Sequence, residues 1–145
     1  MSEAPVEAVL LFAGQGAQRV GMGQDLVAAF PAARTAFEKA DAVLDRGLTS
    51  IIFDGPEEEL TKTANCQPAL FVHGLALLEV LQEKVPGLTP VAAAGLSLGE
   101  MTAHTAAGTF GFEDGLRLVA QRGAFMDEAC GATDGSMAAM IGGDE

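Results

Sequence analysis

The residues with the clearest chemical potential are Gly95-Leu96-Ser97-Leu98-Gly99. A serine is a weak nucleophile until its Oγ is exposed, held in one direction and served by donors for the negative oxygen that its attack creates. The Gly-x-Ser-x-Gly spacing meets the first two needs where a strand turns sharply into a helix. The two glycines let strand and helix pack closely, and the serine at the tip takes a strained backbone conformation that projects its hydroxyl. The preceding Val91 to Ala94 are apolar and the residues after Gly99 favour helix. The stretch therefore reads as strand, turn and helix, with Ser97 Oγ near a helix N-terminus.

The oxyanion donors must come partly from another segment. The apolar run Ala8-Val9-Leu10-Leu11-Phe12 predicts a buried first strand over residues 6–12, and it leads into Gly14-Gln15-Gly16-Ala17-Gln18. Glycines there allow backbone N–H groups to approach a ligand.

That loop continues through Val20-Gly21-Met22-Gly23, and Gln67-Pro68-Ala69-Leu70, the elbow with Glu100, Gln121-Arg122-Gly123 with Met126, and Gly135-Ser136-Met137-Ala138-Ala139-Met140 follow in order. In these motifs the chain resembles the malonyl-CoA:acyl carrier protein acyltransferase family, which includes the acyltransferase domains of fatty acid and polyketide synthases. The resemblance implies malonyl transfer from malonyl-CoA to the phosphopantetheine thiol of acyl carrier protein through an acyl-serine. It assigns the nucleophile to Ser97, the oxyanion-binding N–H groups to Gln15 and Leu98, and substrate binding to Arg122, which would pair the malonyl carboxylate, and Gln67. Leu96 departs from the histidine that many members carry before the serine. No metal and no cofactor beyond the coenzyme A thioester is implied.

The family's general base is a histidine well downstream of the serine, in a region outside these 145 residues. Neither His73 nor His104 matches that position. His104 lies two helical turns beyond Ser97, roughly 10 Å along the axis, so both histidines read as structural or surface groups. The resemblance also implies that residues 1–135 form the N-terminal part of a large α/β domain, and that 136–145 open a small ferredoxin-like subdomain that is cut short. The remainder would come from further sequence or from another chain. Two other readings remain open. One is a patatin-type lipid acyl hydrolase pairing Ser97 with Asp134, although Gly14-Gln15-Gly16 is not the glycine run such enzymes use. The other is a non-catalytic chain that docks a partner.

Composition narrows the classes. A chain that is 49% hydrophobic with 18 glycines and eight phenylalanines is neither disordered nor collagen-like. Eight basic against 20 acidic residues give a net charge of −12, which opposes nucleic acid as a partner. It also leaves only Arg19, Lys62 and Arg122 to meet anionic coenzyme A and carrier protein. No apolar run of membrane length and no signal-type start suggest a cytoplasmic protein with no membrane partner and with Cys66 and Cys130 reduced and buried.

The positioning elements follow from periodicity. Leu26, Phe30, Ala33, Phe37, Ala40 and Leu44 form one helical stripe, which Pro31 divides into two helices, the second ended by Gly47. Asn65 is expected to cap a helix running to Leu81 with Pro68 in its first turn, apolar nearly all round and so buried on several sides. A helix follows the elbow to Gly108, and another runs from Phe112 to about Cys130 with Leu116, Val119, Ala120, Gly123 and Met126 inward. The expected fold is α/β, a three-layer, mainly parallel sheet of the α/β-hydrolase-like kind with helices on both faces and strands near 6–12, 91–95 and 136–141.

Overall fold

Two apolar runs become strands, and nearly everything between them becomes helix. The computed structural model describes residues 5–133 and residue 142. Strand β1 (Val6–Phe12) leads through α1 (Gln24–Ala29), α2 (Pro31–Leu44), α3 (Leu48–Asp54), α4 (Glu57–Thr61) and α5 (Thr63–Lys84) to β2 (Leu88–Gly95). The elbow then opens α6 (Leu98–Ala106), and α7 (Phe112–Ala132) follows. The strands pair in parallel, as the long helical crossover between them requires. Val6 lies opposite Leu88 and Phe12 opposite Gly95, and the register slips between Ala8 and Val9 so that Val91 is the extra residue. Pro90, opposite Ala8, has no N–H for the ladder, and such a residue is tolerated at an irregularity of this kind. Because the strands are parallel, both end at the same edge of the sheet, and the loop after β1 meets the elbow after β2. The expected strand at 136–141 and the boundary at 135 lie outside the described residues.

Helix α5 is the spine of the core. Cys66, Ala69, Phe71, Val72 and Ala76 are fully buried on it, and it packs against α2, α6 and α7. It is long and apolar enough to cross a membrane, but 67% of its most apolar window is buried within the protein, as in a central core helix. Phe37, Leu48, Ile52, Leu60, Leu98, Leu116 and Val119 complete the core around it.

Three expectations are revised. The first strand is not buried on both sides: Phe12 packs with Thr102 against Gly74 of α5, while Val9 is 58% and Leu11 79% exposed. Its sequence is apolar on both faces, and among the described residues helices cover only the face of Phe12. Asn65 is not a cap. α5 begins at Thr63, and Asn65 turns its amide to the Glu59 carbonyl at 2.9 Å and accepts from Arg46 Nη1 at 2.9 Å. The α2 helix ends before Gly47, at Asp45 in the left-handed region with φ 50°.

The second revision explains how Pro68 sits inside a helix. Proline has no N–H for the carbonyl four residues earlier, which is that of Ala64. Arg46 Nη2 donates to that carbonyl at 2.8 Å, so the orphaned acceptor is satisfied from outside the helix. Arg46→Ala is expected to lower unfolding free energy by about 1–3 kcal/mol, the cost of stranding the part-buried Asn65 Oδ1 along with the Ala64 carbonyl. Lys62→Ala, which breaks an exposed pair with Glu59, should change it by less than about 1 kcal/mol. Urea midpoints at unchanged slope measure both, and similar effects from the two would show that Arg46 has no special role.

Candidate active site

The elbow has the geometry that its spacing suggests. Ser97 sits at φ 54° and ψ −105°, a left-handed φ that a residue with a Cβ rarely adopts. Such strain persists only where close packing on both sides holds it. A Cβ on Gly95 would overlap the backbone of Gly99, and one on Gly99 would overlap the Phe12 carbonyl. Thus β2, α6 and the end of β1 touch backbone to backbone, and Ser97 is left exposed at their junction. Leu98, first residue of α6, is fully buried and anchors the helix start in the core.

The loop after β1 lies against this turn. A Cβ on Gly14 would stand 2.6 Å from the Leu96 carbonyl oxygen. Gln15 ties the loop to the start of α5, its Nε2 donating to Thr63 Oγ1 at 3.3 Å. Gln18 folds back so that its Oε1 accepts from Gly16 N–H at 2.8 Å and from Cys66 Sγ at 3.1 Å. Among the described residues no acceptor is found for the backbone N–H of Gln15 or of Leu98. One free donor thus lies on the loop that packs against the elbow and the other directly follows Ser97 in the chain.

Helix α7 brings the arginine. Gly123 passes so close to the start of α5 that a Cβ there would lie 2.7 Å from the Thr63 carbonyl oxygen, and Asp127 Oδ2 accepts from Ala64 N–H at 2.8 Å. With α7 fixed there, Arg122 Nη2 donates to Ser97 Oγ at 3.0 Å, and its Nη1 donates to Gln67 Oε1 at 2.6 Å. Ser97, Arg122 and Gln67, read from separate motifs, thus form one hydrogen-bonded chain. Gln67 is 1% exposed and its Nε2 donates to Met126 Sδ at 3.1 Å.

The histidines stand apart from this network. His104 is exposed on α6, its Nδ1 3.4 Å from Thr109 Oγ1. His73 lines an open cavity of about 580 Å³ with Arg19 and Asp25. Burial pushes its pKa down; Asp25 opposes the shift and Arg19 adds to it. Of the three expected cations, Lys62 is paired with Glu59 at 2.6 Å, and Arg19 lies at the cavity of His73. Asp134 falls outside the described residues.

A chain with this site matches the family model for the acyl transferase domain over residues 9–142. It belongs to the acyl transferase domain family. The malonyl CoA-acyl carrier protein transacylase of Bacillus subtilis is 48% identical over 92% of this chain and 42% of its own length. A malonyl-transacylase solved in complex with its type II PKS acyl-carrier protein superposes with TM-score 0.80 at 44% identity, over 86% of this chain and 40% of that one. The acyl-carrier-protein-S-malonyltransferase of Bartonella henselae gives 0.79 at 45% identity, over 85% and 40%. The chain thus spans about two fifths of the length of these relatives. The α/β fold with a parallel sheet is theirs, and the match favours the acyltransferase reading over the patatin-type one.

Sequence reading did not find the role of Gln18, whose side chain staples the acyl transferase loop from beneath. The signal was faint: a second glutamine, at a position where a glycine-rich loop needs an internal acceptor. It also expected Cys130 to be buried with Cys66, whereas both are free thiols, Cys130 exposed and Cys66 buried. Burial pushes the Cys66 thiol up to about 11, against a lowering hydrogen bond from the Gly16 backbone. Iodoacetamide at pH 8 is therefore expected to alkylate Cys130 and leave Cys66 unmodified, with a thiolate fraction of only about one in a thousand at the buried site. Peptide mapping checks this, and rapid labelling of Cys66 would mean that the loop over it opens in solution.

Proposed function

We propose that this chain supplies the nucleophile and the carboxylate-reading group of an enzyme that moves malonyl from coenzyme A to an acyl carrier protein, in cytoplasmic fatty acid or polyketide synthesis. The observation that carries the reading is Arg122, held by Gln67 with its other prong 3.0 Å from Ser97 Oγ. A guanidinium that close to a nucleophile can grip the free carboxylate of a short diacid while its thioester carbonyl lies at the serine.

In this reading Ser97 Oγ attacks the thioester carbonyl carbon, and its proton leaves to a base. The N–H groups of Gln15 and Leu98 receive the negative oxygen. The carbon–sulfur bond breaks and coenzyme A departs as its thiol, leaving malonyl esterified to Ser97. The phosphopantetheine thiol of the carrier protein then attacks the same carbon, the ester bond breaks, and Ser97 Oγ regains a proton. By the resemblance the base is a histidine outside this chain.

Two outcomes test the reading in the full-length protein. Malonyl-CoA should leave one malonyl adduct on the peptide containing Ser97, detected by mass spectrometry and absent from Ser97→Ala. An adduct that persists in that variant sinks the assignment. Arg122→Ala should cost malonyl transfer about 2–5 kcal/mol in kcat/KM, because a charge-assisted pair in a partly dry site is lost, while acetyl transfer changes far less. Equal losses for the two thioesters would leave Arg122 with a purely structural role.

A further inference from the structure

We infer that Gln67 sets acyl specificity without touching substrate, by fixing Arg122 through a neutral partner so that its charge stays free for a substrate carboxylate. The inference rests on the malonyl-transfer reading and revises the substrate-binding role that the resemblance gave Gln67.

Both heteroatoms of the Gln67 carboxamide are already used inside the protein. Its oxygen accepts from Arg122 Nη1 at 2.6 Å, and its nitrogen donates to Met126 Sδ at 3.1 Å. That orientation is chemically forced, since a guanidinium only donates and a thioether only accepts. With the residue 1% exposed, nothing of it is left to meet a ligand. It is a positioning residue. Its place on α5, among the most buried residues of the molecule, makes it a rigid anchor for one prong of the fork.

The partners of Arg122 share a further property. Lys39, Lys62, Lys84 and Arg117 each pair with a carboxylate. Arg122, among the described residues, meets only the amide of Gln67 and the hydroxyl of Ser97, both neutral. Arg34 and Arg46 also donate to neutral oxygens, so what sets Arg122 apart is its place: in a chain of net charge −12 it meets neutral acceptors beside the nucleophile itself. A glutamate at position 67 would have nearly the same shape and would hold Arg122 more strongly. It would also neutralise the guanidinium, and an incoming carboxylate would compete with one already bound. The amide orients the fork and leaves the charge uncompensated.

The test is Gln67→Glu in the full-length protein, with kcat/KM measured for malonyl-CoA and acetyl-CoA. Malonyl transfer is expected to fall by about 10- to 100-fold, the range for losing a charge-assisted hydrogen bond. Acetyl transfer should fall far less than malonyl transfer, and a cooperative urea transition reports separately that the variant folds. Gln67→Met, which removes the anchor and adds no charge, should lower the malonyl-to-acetyl ratio less than the glutamate does. In an Arg122→Ala background Gln67→Glu should leave the ratio unchanged, because the two residues act through one another. Parallel losses for both thioesters in the Glu and Met variants would overturn the inference and leave Gln67 a packing residue. A wild-type preference for malonyl that survives Gln67→Glu would overturn it alone, whereas a wild type with no such preference overturns it together with the malonyl-transfer reading.

Discussion

The site depends on backbone meeting backbone at the junction of β1, β2 and α6. Side chains at positions 95 and 99 would overlap the Gly99 backbone and the Phe12 carbonyl. Without that contact nothing would hold Ser97 at φ 54°, because an exposed serine relaxes to negative φ when it can. The strain at the tip is sustained by burial beneath it. Leu98 is fully buried one residue later, and Phe12, Gly74 and Thr102 pack just below. Hydroxyl exposure and backbone strain are thus two results of one close approach.

The second anchor is polar and lies in the core. A buried amide is costly unless its nitrogen and its oxygen each find a partner, and one with an end left bare costs more than an apolar side chain. Gln67 is tolerated because Arg122 and Met126 meet its two ends. The same economy appears at Pro68, the next residue, where the carbonyl orphaned by the missing N–H is met by Arg46. The start of α5 is therefore crowded with groups that helix rules would keep out. Each is matched by a partner from a different element, which ties α7 and the α2–α3 turn to the helix near Ser97.

How much of this was legible in the sequence depended on range. The elbow, the glycine loop and the break at Pro31 could be read because short-range sterics dictate them: two glycines, or one missing N–H, leave the backbone few choices. The Ser97–Arg122 pairing was readable only through resemblance, since 25 residues of chain separate them and no local rule brings α7 back over the elbow. Asn65 misled because its composition suits a cap, while the pull of Glu59 and Arg46 comes from outside the helix. Val9 and Leu11 misled in the other direction. Their apolarity reports the environment for which a central parallel strand is suited, apolar on both faces, and the described helices supply one face only.

A net charge of −12 is a poor guide to what the site attracts, because screening in physiological salt confines the field of exposed charges to about 8 Å. Within that radius the local arrangement decides. Exposed lysines here lie beside glutamates and contribute little field of their own. Arg122 is only partly exposed and touches neutral groups, so its field is weakly screened and directed to where Ser97 Oγ stands. An acidic chain can present a cationic point if one arginine is kept from every carboxylate around it. The cost of that isolation falls on a buried glutamine, which has to do by hydrogen-bond geometry what an ion pair would otherwise do by charge.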